Sequence, residues 1–215
     1  MARKTTQRRK AAARPAASAE RQAGGDDAVI DAALKLAETQ GWRRTSFADI
    51  AEEAGLGMSE LYRRFRSKGA ILDAFVRRID LATLEGVETG KDESSPRDRL
   101  FDLFMRRFDA LQPYKGAVAA LARELSLHPL AALCAGARLC RSMAWMASVA
   151  GLPGGGPFGL LRAKALAAIY LYTMRIWLRD ESEDHAKTMA ALDQALSRAE
   201  MFANSLPRPG RRAAA

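Results

Sequence analysis

Histidine and cysteine are nearly missing from this chain. In 215 residues there are two of each: His128, His185, Cys134 and Cys140. Protein metal centres are built from clustered His, Cys and carboxylate side chains, and no such cluster surrounds any of the four. The cysteines lie six residues apart, on different faces of a helix, and a reduced cytosolic pair is the default reading. A catalytic nucleophile needs a partnered base. His128 precedes Pro129 at a helix boundary, and His185 sits in an acidic turn, so both read as structural. There is no Ser/His/Asp set and no phosphate-cradling glycine loop. No enzyme, metal or cofactor is expected.

Long apolar runs are also scarce. Ser142–Leu161 is uncharged, nominally long enough to span a bilayer. Gly151, Pro153, Gly154, Gly155, Gly156, Pro157 and Gly159 interrupt its second half, so it reads as a helix end and a loop. Stable membrane insertion is not expected. The N-terminus lacks the apolar core of a secretory signal, and a cytoplasmic location is expected. Its Arg- and Ala-rich composition also loosely fits an organelle transit peptide.

Acidic residues are almost absent from both ends. Arg3, Lys4, Arg8, Arg9, Lys10, Arg14 and Arg21 face a single acid, Glu20, within residues 1–22. Arg208, Arg211 and Arg212 lie in the last eight residues. These tails account for the whole formal net charge of +9, so the body between them is close to neutral. Basic arms bind nucleic acid or anionic surfaces, or they act as solubilising tails.

What the body does contain is helical periodicity, with no convincing two-residue alternation. The expectation is an all-α fold of about nine helices. Residues 1–25 read as a disordered basic arm. Asp26 or Asp27 caps a first helix, with Val29, Ile30, Ala33, Leu34 and Ala37 inward and Gly41 ending it. Ser46 caps the next helix, with Asp49 closing a capping box. A short helix follows from about Met58 to Phe65. Ser67 opens a longer one carrying Ile71, Leu72, Phe75, Val76 and Ile79. Lys91–Arg97 is a polar break. Beyond it come helices starting at Pro96, at Pro113 and after His128-Pro129. The last two lie at about 160–179 and 183–204, with Ser182 as a cap and Met189, Leu192, Leu196, Ala199 and Phe202 inward. The domain plan is a 26–80 unit, a 96–206 unit and a 207–215 basic tail.

The stretch "ADIAEEAGLGMSELYRRFRSKG" at 48–69 carries the chemistry. Phe47, Ile50 and Ala51 give one short helix an apolar inner face. Gly55-Leu56-Gly57 forms a turn, and Leu61 and Phe65 bury the second helix. This is a helix-turn-helix at about 46–65. Met58, Ser59, Glu60, Tyr62, Arg63 and Arg64 occupy its outer arc, where side chains can meet base edges in a major groove. Arg43 and Arg44 lie before the first helix, with Arg66 and Lys68 after the second, placed for phosphates.

Residues 28–79 resemble the DNA-binding domain of the TetR family of transcriptional regulators. Gly41-Trp42, Thr45-Ser46, Ile50-Ala51, Ala54-Gly55, Leu61-Tyr62, Phe65 and Ser67-Lys68 carry the likeness, in order and at the family's spacing. The resemblance implies phosphate contacts from Thr45 or Ser46, from Tyr62 and from Lys68, beside Arg44 and Arg64 of the two basic clusters. It implies base contacts from Met58, Ser59, Glu60 and Arg63. Gly57, Met58, Ser59 and Gly69 depart from the family's usual residues, which bears on the operator rather than the fold.

TetR-like proteins dimerise and enclose a ligand through their C-terminal helices. That implies a homodimer on palindromic double-stranded DNA, with repression as the expected output, and a small hydrophobic effector. Ala163, Ala167, Ala168, Ala191, Ala195 and Ala199 are the expected close-packing positions of the dimer. Phe104, Met105, Phe108, Met143, Met146, Tyr170, Met174 and Trp177 are the candidate pocket residues, with Phe101 and Trp145 beside them. Each also reads as plain core. The segment from about 99 to 200 resembles, less specifically, a lipid-binding family that assists ubiquinone biosynthesis and shares the TetR-like fold. The alternative function is therefore a lipid- or isoprenoid-binding accessory protein.

Overall fold

The computed structural model describes residues 24–87, 94–126, 129–153 and 155–205. The two basic tails lie outside the described residues, apart from the start of the first helix, as does most of the polar break before Pro96. Among the described residues there is no strand.

Helix α1 covers residues 24–39. It begins before Asp26, so neither Asp26 nor Asp27 caps it. Both are ion-pair partners instead, Asp26 of Arg64 and Asp27 of Arg78. Val29, Ile30, Ala33, Leu34 and Ala37 are buried as the periodicity required. Gly41 ends the turn with φ +90°, a conformation that costs glycine little. Helix α2, Phe47–Glu53, carries the expected capping box. Helix α3, Met58–Arg64, starts from Gly57 with no side-chain cap and buries Leu61. Helix α4, Lys68–Leu84, opens with the Ser67 hydroxyl accepting the Ala70 N–H at 3.1 Å.

Helix α5, Pro96–Leu111, has Ser95 as its cap, Pro96 in its first turn and the predicted apolar stripe inside. Pro113 lies in a short 3-10 turn, and helix α6 follows at Lys115–Ser126. Helix α7 is Pro129–Val149, α8 is Gly156–Trp177 and α9 is Ala186–Ser205. The uncharged Ser142–Leu161 stretch is split between α7, a loop and α8. No helix of the described residues is long and apolar enough to cross a membrane.

The described residues form two compact units. The first holds α1–α3, α4 as far as Arg78, and α6 from Gly116 onward. The second holds Ile79–Lys115 and the helices from α7 on. The sequence reading grouped α6 with the C-terminal helices. From Gly116 onward it groups with the first unit, where the Glu124 carboxylate accepts the Arg43 N–H and Gly116 sits against Glu38.

The second unit departs from expectation at α9. Ser182 does not cap it. Its hydroxyl and N–H both donate to the Asp180 carboxylate. Asp180 itself reaches α9, accepting the Thr188 N–H at 2.9 Å and hydroxyl at 2.8 Å. Phe202, expected inward, is 67% exposed.

Candidate nucleic-acid interface

The corner between α2 and α3 is built from local signals. Ser46 accepts the Asp49 N–H at 3.0 Å, and Asp49 accepts the Ser46 N–H at 2.7 Å. Those bonds hold the Asp49 carboxyl below the usual range. At the turn, Gly55 adopts φ +65°, and the Leu56 N–H reaches back to the Ala51 carbonyl at 2.9 Å. Ile50, Ala51, Leu61 and Phe65 are buried beneath the corner.

The predicted contact residues divide into three groups. Met58, Ser59, Tyr62 and Arg63 lie exposed on α3, and Arg44 and Ser46 lie exposed before α2. Met58 is 50% exposed and Tyr62 59%. The Arg63 Nε donates to the Ser59 carbonyl at 3.2 Å, which lays the side chain along the helix.

The second group is engaged in ion pairs. Arg64 donates to Glu60 at 2.9 Å and to Asp26 at 3.0 Å. Glu60 first, then Asp26, strengthens its hold on the proton.

The third group is turned inward. Thr45 is buried, and its hydroxyl donates to the Gly41 carbonyl at 2.9 Å. The Lys68 ammonium donates to the Trp42 and Thr45 carbonyls, both at 2.5 Å, and sits 4.6 Å from the Trp42 ring centre. Burial lowers its proton affinity, against the pull of Glu124 and Asp49. Lys68 therefore ties the α1–α2 turn to the start of α4 and leaves one N–H for a further partner. Sequence reasoning missed both fasteners, because the partner groups lie far away in the chain.

The second unit holds the candidate pocket residues. Phe104, Phe108, Met143, Met146, Tyr170 and Trp177 are buried, and Met105 and Met174 are partly so. Phe108 stacks between Tyr170, at 5.4 Å, and Trp177, at 5.6 Å. Beside this aromatic ladder lies a polar cluster that the sequence did not announce. Asp80 on α4 accepts the Arg107 guanidinium, the Ser142 hydroxyl at 2.8 Å and the Trp145 N–H at 3.2 Å. Arg107 also donates to the Tyr170 hydroxyl at 3.2 Å. Burial works against the Arg107 charge, but Tyr170 and Asp80 together outweigh it. Burial pushes the Tyr170 phenol up. One visible signal was available: Asp80 and Arg107 sit at core-facing positions of otherwise apolar stripes.

Comparison with known proteins agrees with this geometry. Residues 29–75 match the model of the bacterial regulatory proteins, tetR family. Residues 162–203 match the COQ9 model. The HTH-type transcriptional repressor KstR2 of Mycobacterium tuberculosis is 29% identical over 91 residues, 42% of this chain and 46% of that protein. The chain thus spans about half the length of the curated relatives it matches. A TetR transcriptional regulator from Nitrosomonas europaea superposes with a TM-score of 0.65 at 26% identity, covering 82% of this chain and 98% of that one. A TetR transcriptional regulator from Rhodococcus sp. RHA1 gives 0.58 at 20% identity, covering 83% and 96%, and this likeness speaks to fold alone. The chain has the fold of the TetR regulators, and its helix-turn-helix lies within residues 29–75, which match the tetR family model.

Proposed function

We propose that this chain is a cytoplasmic, ligand-responsive transcriptional repressor that binds a palindromic operator as a homodimer. The observation that carries the reading is the exposed outer face of α3, with Ser59 and Arg63 at its centre, inside the segment that matches the tetR family model. Arg63 is placed to pair with a guanine, and Arg44, Ser46 and Tyr62 to meet phosphates. A dimer sets two such helices about one DNA turn apart. The test is electrophoretic retention of DNA recovered from a random pool. A palindromic motif supports the reading, and retention without sequence preference contradicts it.

Of the six alanines read from the sequence as close-packing positions, Ala168 is exposed and Ala191, Ala195 and Ala199 are partly so. Ala163 and Ala167 are buried within their own unit, where α8 packs on α7 and α9. Phe158, Leu161 and Tyr172 face outward along one side of α8, Leu160 and Leu171 along another, and Met201 and Phe202 are exposed on α9. Exposed apolar stripes of this kind mark association surfaces. The aromatic ladder of the second unit, with Arg107 and Tyr170 as polar neighbours, is the proposed place for a small hydrophobic effector. Such a ligand releases DNA only if it binds the DNA-incompetent conformation more tightly.

One observation favours a second reading, the match of residues 162–203 to COQ9. On that reading the chain is a lipid- or isoprenoid-binding accessory protein. Apolar ligand recovered by solvent extraction, together with failure to enrich any DNA motif, supports it.

A further inference from the structure

The outer arc of α3 is not uniformly available, and this bears on what the helix reads. Successive residues turn by about 100°. Leu61 and Phe65 define the inward direction, so Ser59 and Arg63 point most directly outward. Glu60 and Arg64 form one flank and Tyr62 the other, with Met58 at the inner edge of that second flank, exposed because it is the first residue of the helix. The two flanks differ in kind. Glu60 and Arg64 are both half-buried and joined to each other at 2.9 Å, and Asp26 of α1 holds the same guanidinium. The opposite flank carries no charge and is more open, with Met58 at 50% and Tyr62 at 59% exposure. A methionine at the first position of a helix, half uncovered by the protein, is a poor match for water. It is a good match for an apolar group in a groove, and the only such group on a base edge in the major groove is the thymine methyl.

Building on the proposed DNA-binding function, we propose that Met58 selects a thymine in each half-site through its 5-methyl group, and that Glu60 reads no base. Glu60 holds Arg64 in place; its carboxylate is spent in the ion pair and is not offered to a cytosine amino group. The half-site then carries a thymine beneath Met58, next to the base contacted by Arg63.

The experiment uses the full chain. Operators are selected from a random pool with wild type, Met58→Gln and Glu60→Gln. The wild-type motif should contain one symmetric thymine position that Met58→Gln no longer enriches, while Glu60→Gln leaves every position unchanged. In one half-site that thymine is then replaced by deoxyuridine, which removes only the methyl. Wild-type affinity should fall about four-fold, the worth of one buried methyl-sized group, and Met58→Gln should be indifferent to the exchange. A motif insensitive to Met58, an indifferent deoxyuridine operator, or a base preference altered by Glu60→Gln overturns this inference while leaving DNA binding intact. Failure to enrich any motif overturns both.

Discussion

The carboxylate of Glu124, in α6, accepts the backbone N–H of Arg43 at 3.0 Å. Arg43 lies in the turn that leads into α2, and the carbonyls of Trp42 and Thr45 in that same turn hold Lys68. One α6 side chain and one α4 side chain thus hold Trp42, Arg43 and Thr45, just before the helix-turn-helix. Glu124→Ala should cost about 0.5–1.5 kcal/mol, the net worth of an ordinary hydrogen bond. Hydrogen exchange at the Arg43 amide should accelerate, while amides in the α5 core should not change.

Asp80 and Arg107 form the polar centre of the second unit. Asp80→Ala strands a nearly buried guanidinium and should destabilise the protein by about 3 kcal/mol. Arg107→Met alone leaves Asp80 with its Ser142 and Trp145 donors and should cost less. Urea unfolding of both singles and the double variant should return a coupling energy of about 2 kcal/mol. Additive losses would show that the pair does not act as a unit.

Much of the first unit was legible because its determinants are local. The Ser46–Asp49 capping box, the positive φ at Gly41 and Gly55, and the Leu61–Phe65 spacing each depend on residues within one or two turns. The fasteners were not legible. Arg64 meets Asp26 across 38 residues and Arg43 meets Glu124 across 81, and no short-range pattern encodes such pairs. Thr45 is a different case: its hydroxyl, which the family resemblance offers to phosphate, donates instead to the Gly41 carbonyl only four residues back. Ser182 looked like a helix cap by type and position. Asp180, two residues earlier, outcompetes it as a charged acceptor of several donors at once.

Asp180 also gives the protein an acid sensitivity. The Ser182 hydroxyl, then the Thr188 hydroxyl and N–H, hold its carboxyl far below the usual range. Donors at Ser46 do the same, less strongly, for Asp49. A carboxylate with a lowered folded pKa contributes stability that is fully present above its unfolded value of about 4. The contribution is lost as pH falls from there toward the folded value. Wild type should therefore lose stability progressively below about pH 4. Asp180→Asn should be less stable at pH 7 and show a flatter decline in acid, as measured by urea midpoints across that range.

The outward face of α8 should govern assembly. Leu161→Glu with Tyr172→Glu places charges on a stripe that is otherwise apolar, and should convert a dimer to a monomer in sedimentation equilibrium. Circular dichroism should be unchanged, because both side chains are exposed in the protomer. Operator affinity should fall with it, since a monomer engages one half-site.

The central claim is that the outer face of α3 reads DNA. The measurement is selection of bound fragments from a random double-stranded pool by the full chain, with Arg63→Ala alongside. The account predicts a palindromic motif with half-sites about one helical turn apart, and loss of its guanine preference in Arg63→Ala. Recovery of unenriched DNA by wild type, or a motif that Arg63→Ala leaves intact, would contradict it.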